Sequence, residues 1–156
     1  MISPHKSLKT NYIYKFYKMV STIDMQDMRY LNLFGKITRV STRYCLKYNQ
    51  ALVFCIPKKL IPKALGKNAE NAKQMSHILG KRIKIIAVPK NIKDIKVFIS
   101  AIVSPVTFKE LEITPDEIIL TAGNQSKAAL IGRNKRRLLE MQKIIRDFFK
   151  KEFRIV

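Results

Sequence analysis

Two short stretches carry the residues best suited to hold an anion: Gly66-Lys67-Asn68-Ala69 and Gly132-Arg133-Asn134-Lys135. Each places a glycine at the end of an apolar helical segment, then a cation, then an asparagine of the kind that caps a following helix. Backbone N–H groups at a helix start, reinforced by the helix dipole, make a ready site for a phosphate. Lys67 and Arg133 would stand beside that site, and Lys135, Arg136 and Arg137 carry the positive field into the second helix.

No other set of side chains has the spacing of a reaction centre. His5 and His77 lie far along the chain from Cys45 and Cys55, and without a CxxC pair they make no zinc site. Both cysteines sit in strand-like apolar runs and read as buried, reduced thiols. His77 reads as a partly exposed helix residue. The acidic pairs Glu110/Glu112 and Asp116/Glu117 stand apart from any phosphate-binding glycine motif, and neither a Walker loop nor GxGxxG occurs. The expectation is therefore no catalytic residue, no cofactor, no metal and no small-molecule substrate.

One glycine between two helices is an ordinary helix stop. Two at one offset are an internal repeat. A shift of 66 residues lays Leu52-Val53-Phe54 on Ile118-Ile119-Leu120, Leu65-Gly66-Lys67-Asn68 on Ile131-Gly132-Arg133-Asn134, and Met75 on Met141. Only the last strand slips register, by about four residues, because the second long helix continues through Phe148 and Phe149.

Around each loop the hydrophobic pattern predicts the same elements. In the first unit, Met25, Met28, Leu31, Leu33, Phe34 and Ile37 mark a helix with Asp24 as its N-cap, weakened near its end by Gly35. "RVSTRYCLKY", alternating at Val40, Thr42, Tyr44 and Leu46, and "ALVFCI" form a hairpin about an Asn49-Gln50 turn. A short helix, the glycine loop and a longer helix with a stripe at Ala69, Ala72, Met75, Ile78 and Leu79 follow, stopped by Gly80, and "KRIKIIAVP" closes the unit as a strand. The second unit repeats this with "IKDIKVFISAIV", the hairpin "VTFKELEIT"/"EIILTA", the second loop and "EFRIV". The chain thus divides into a basic extension over 1–19, poorly ordered or partly helical, and units over 20–89 and 90–156 expected to pack as one body. The fold class is α/β, more narrowly α+β. Each unit runs α-β-β-α-α-β, with a small mixed three-stranded sheet covered by helices on one face.

The charge supports a polyanionic partner. There are 31 Lys and Arg against 11 Asp and Glu, a formal net charge of +20, and folding alone does not require such self-repulsion. Eleven cations lie in 57–96 and ten in 127–154, the blocks that hold the two loops. No stretch reaches the ~20 apolar residues of a membrane span, and the basic N-terminal residues lack the core and cleavage site of a secretory signal. A cytoplasmic protein without membrane contact is expected.

Through "MRYLNLFGKITRV", "ALGKNAENAKQMSHILGKRIKII" and "LIGRNKRRLLEMQKIIRDFF", roughly residues 20 to 156 resemble the type II KH domain, in tandem as in archaeal NusA-like transcription factors. The resemblance implies single-stranded RNA as ligand, clamped by its backbone at the two loops, and action with RNA polymerase in termination and elongation control. It implies an RNA-binding set of Gly66, Lys67, Asn68, Ala69, Gly132, Arg133, Asn134, Lys135, Arg136 and Arg137. Leu65 and Ile131 would contribute to an apolar floor under the bases, with Ile85 and Ile155 as weaker candidates. Both loops depart from the family's GxxG at its last position, where Ala69 and Lys135 stand. A Cβ there restricts backbone approach to a phosphate; Lys135 offers charge in exchange and Ala69 does not. The second loop is therefore expected to contribute more of the binding.

Two other functions fit parts of the pattern. A module docking on RNA polymerase or the ribosome would use the charge for steering and leave the altered loops idle. A helix-turn-helix DNA binder would use the helix-Gly-helix segments, but β-rich runs flank both.

Overall fold

The computed structural model describes residues 25–156, and in it six α-helices and two three-stranded sheets form a mixed α+β fold. Helix α1 (Met25–Thr38) leads into β1 (Tyr44–Tyr48) and β2 (Ala51–Ile56); α2 (Ile61–Leu65) and α3 (Glu70–Leu79) follow, then β3 (Arg82–Ala87). The order recurs in α4 (Ile95–Val103), β4 (Glu110–Ile113), β5 (Glu117–Thr121), α5 (Asn124–Ile131), α6 (Arg136–Phe149) and β6 (Glu152–Ile155). The extension over 1–19 and the Asp24 cap lie outside the described residues.

In each sheet the strands lie in chain order, the first pair antiparallel and the second parallel, so that Leu52 pairs with Ile83 and Ile118 with Phe153. A parallel neighbour requires a long crossover, and the helix–loop–helix segment is that crossover in both halves. Helix α6 has 14 residues against 10 in α3, which accounts for the four-residue slip of β6. The first hairpin closes on Asn49 and Gln50 with φ of 50° and 61°, the two positive values of a type I′ turn.

Several local expectations change. Helix α1 runs through Gly35, and Arg39, at φ 62°, ends it by donating its N–H to Gly35 O at 3.0 Å. Val40 and Thr42 therefore precede β1 instead of belonging to it, and the Thr42 hydroxyl donates to Cys55 O. The buried stripe of α1 is Tyr30, Phe34 and Thr38, four residues apart, while Met25 and Met28 are exposed by 78% and 54%. Ile78 of α3 also points outward, and Met75 is the residue of that stripe fully buried.

The first sheet is covered on both faces, by helices of its own half on one and by helices of the other half on the opposite one. Leu52, Phe54 and Ile56 pack under α1, Ala64 of α2 and Met75 of α3, with Phe34 stacked on Phe54 at 4.5 Å between ring centroids. On the opposite face, Val53, Cys55, Tyr48 and Ile86 join Ile95, Phe98, Ile102, Ile145 and Phe148 of α4 and α6 in one apolar cluster. Tyr44 meets Phe148 at 5.8 Å, so the contact between the two halves is direct. Each large side chain so buried contributes about 1.5–3 kcal/mol. A polar fastening adds to this: Lys84 Nζ donates to the carbonyls of Ala101, Ile102 and Ser104 at 3.2, 2.8 and 2.6 Å, capping the C-terminus of α4 from β3. Burial there holds the Lys84 pKa below its usual value.

Among the described residues, the second sheet keeps one open face. Along β5, Ile118 and Leu120 are buried while Glu117, Ile119 and Thr121 are half-exposed, and Glu110 and Glu112 of β4 face solvent. No helix among the described residues is long and apolar enough to cross a membrane.

Candidate nucleic-acid interface

Both loops adopt one backbone path. Gly66 has φ 73° and ψ −177°, and Gly132 has φ 75° and ψ 172°; this corner of conformational space is open essentially to glycine alone. The next cation enters a single helical turn, and then two residues are left-handed: Asn68 and Ala69 at φ 57° and 56°, Asn134 and Lys135 at 56° and 59°. The expectation that Asn68 and Asn134 cap the following helices is therefore wrong. The N-cap positions fall to Ala69 and Lys135, neither of which makes a side-chain cap hydrogen bond. The asparagines serve the backbone instead, since Asn tolerates the left-handed region better than most residues.

This path also explains what a GxxG pattern does at its last position. The conformation at Ala69 and Lys135 is one glycine adopts freely, and here it is held by residues with a Cβ at a cost of about 1–2 kcal/mol each. The N–H groups of Ala69 and Lys135 turn inward to Gly66 O and Gly132 O, at 3.3 and 3.2 Å. Lys67, Asn68, Arg133 and Asn134, which lie between, are all exposed.

The glycines matter for space as well. A Cβ on Gly66 would lie 3.0 Å from Asn71 Nδ2, and one on Gly132 would lie 2.9 Å from Arg137 Cγ. Asn71 and Arg137 are themselves equivalent in the repeat. Asn71 donates to Ala64 O at 3.0 Å and Arg137 to Ala129 O at 2.8 Å, each satisfying a carbonyl at the end of the helix before the loop. Arg137, grouped by its charge with the other cations of the loop, lies over Gly132 and is half-buried, while Arg133, Lys135 and Arg136 are exposed. Lys67 and Asn68 are exposed, and Leu65 and Ile131 are half-buried beside the buried Ala64 and Leu130. Ile85 and Ile155 are half-buried too.

The second loop has a neighbour that the repeat does not foretell. The Asn49-Gln50 turn stands across from it, and a cleft of about 320 Å³ opens between this turn and Arg133, Asn134, Arg136, Arg137 and Glu140. Glu140 accepts a hydrogen bond from the Asn49 N–H at 3.2 Å, which ties the turn to α6. Beneath it lies buried Tyr48, whose hydroxyl burial pushes above its usual pKa. No periodicity could have revealed this pairing, because it joins residues 91 positions apart.

Burial pushes the Cys45 thiol up to about 12 and the Cys55 thiol higher still, so both stay protonated, and neither is disulfide-bonded. His77 is exposed on α3.

Neither a protein family nor a curated protein matches this sequence. A solved structure described as "Crystal structure of APE1850" is similar in fold, with a TM-score of 0.59, 19% identity, and coverage of 86% of this chain and 99% of that one. The likeness extends over nearly the whole of both chains, and it concerns the fold alone.

Proposed function

We propose that this chain binds single-stranded RNA through two type II KH units, in the manner of NusA proteins, and acts with RNA polymerase in transcription elongation and termination. The observation that carries the reading is the duplicated loop: a glycine at φ 73° and 75°, an exposed cation and two left-handed residues, twice over. A backbone so disposed fits a phosphodiester strand. The order α-β-β-α-α-β, with a sheet in chain order, is the topology the resemblance implies, and it supports the assignment. The net charge of +20 supplies long-range attraction to a polyanion. The role in transcription rests on the resemblance to NusA-like proteins. The strands on both sides of each helix pair weigh against a helix-turn-helix reading.

The test is titration of fluorescent, unstructured RNA at several salt concentrations. Arg133→Glu with Lys135→Glu should weaken binding by about a hundredfold, ~1.4 kcal/mol per tenfold step. The log–log salt slope should fall by about 1.4, or ~0.7 for each phosphate that the variant no longer neutralises. Equal affinity and slope in the variant would refute the proposal.

A second reading draws on a different surface. The open face of the second sheet presents Glu110, Glu112, Glu117 and Glu152 on an otherwise basic molecule. Of these, Glu117 pairs with Arg154 at 3.2 Å and Glu152 with Arg146 at 3.7 Å. Such a face suits docking on a basic protein surface and is compatible with RNA held elsewhere.

A further inference from the structure

We propose that Asn49 and Gln50 form the far wall of the second loop's site and read a base of the RNA strand held there. This rests on the RNA-binding reading above and goes beyond it, because it assigns base selection to residues of the first half at a loop of the second.

The chemistry across the cleft is divided. On the α6 side stand Arg133 and Arg136, exposed cations suited to phosphate. On the turn side stand two amides. A Gln or Asn side chain offers a donor and an acceptor next to one another, and this pair matches the adjacent donor and acceptor on a base edge. A backbone pinned by Arg133 would thus place its base toward the turn. The cleft's volume of about 320 Å³ lies at the lower end of small-ligand sites, ~300–1,000 Å³, as suits one nucleotide.

The turn is also held in place, which selectivity requires. Its backbone is fixed from two directions, by Glu140 on the Asn49 N–H and by Arg82, whose guanidinium donates to Asn49 O. With the backbone so occupied, the exposed Gln50 amide is the group left to meet a ligand. The corresponding turn of the second half is different in kind. It contains Pro115 and Asp116, and Lys151 Nζ binds the carbonyls of Thr114 and Pro115 at 2.6 and 2.8 Å. It offers no amide side chain, so base reading through a turn belongs to one site of the two.

The experiment uses the full chain and short uridine strands carrying one A, C or G at a central position. The variant is Asn49→Gly with Gln50→Gly, because glycine keeps both positive φ values while removing the amides. Wild type is expected to separate its best and worst strands by about tenfold, within the ~1–3 kcal/mol of one good amide–base pair. The variant should compress that range to about twofold with the salt slope unchanged. Gln50→Glu, which keeps the size and loses the donors, should alter the order of preference and provides the reading if the double variant melts early. Wild type that binds RNA without discrimination, or variants that keep its range and order, would overturn the inference and leave RNA binding standing. Wild type that binds none of the strands would remove both.

Discussion

The two glycine loops have one backbone and two chemistries. At the first, Lys67 is the sole cation, Ala69 takes the strained last position without charge, and Asn71 satisfies the preceding helix. At the second, Arg133, Lys135 and Arg136 are exposed together, Arg137 replaces Asn71 as the fastening, and a turn from the other half closes the site. Both copies keep the geometry, and the second gathers the charge. The carbonyl of the helix end must be satisfied in both; the cation content need not match.

Three pairs of substitutions test how far that equality and that difference reach. The largest effect is expected at the glycines. Gly132→Ala forces a Cβ into a glycine-only conformation and to 2.9 Å from the Arg137 Cγ near its backbone, and should lower stability in urea unfolding by about 3 kcal/mol. Gly66→Ala meets the amide end of Asn71 and should cost about 2 kcal/mol; a reversed order would mean that the loops are not held alike. Next are the fastenings. Asn71→Ala and Arg137→Met should each lower stability by ~1–2 kcal/mol through the orphaned carbonyl, with little difference in RNA affinity at constant folding. A large loss of affinity for Arg137→Met would return Arg137 to the ligand. The smallest effect is the most discriminating. Ala69→Gly and Lys135→Gly should both raise stability by about 0.5–1 kcal/mol by relieving the left-handed residue. In RNA titrations they should diverge: affinity unchanged or improved for Ala69→Gly, and reduced for Lys135→Gly.

Much of the fold is visible in the sequence because both periodicities are strong: the 66-residue offset, the element order and the Asn49-Gln50 turn all follow from local pattern. The second covering of the first sheet leaves its mark too. "ALVFCI" is apolar without alternation, as suits a strand buried on both faces, whereas β5, with its Glu117 and Thr121, is buried only at alternate residues. The asparagines of the loops are ambiguous by type, because a cap and a left-handed turn favour the same residue and only backbone angles separate them. Lys84, Arg137 and Lys151 are hidden among the cations. A charge count cannot tell a lysine facing solvent from one that binds three carbonyls of a neighbouring helix. The cleft at Asn49 depends on how the halves meet, which no local pattern encodes.

That meeting has a consequence for any strand that reaches both loops. The apolar cluster runs without a break from Val53 and Cys55 of the first sheet to Ile145 and Phe148 of α6. The two loops are thus joined by packed side chains, and the connecting segment at Pro89 does not act as a flexible tether. Their effective concentration for one RNA is fixed by geometry: it is close to zero for a strand too short to span them and high for one of the right length. The molecule would act as a ruler, and the rigidity of its core would set the graduation.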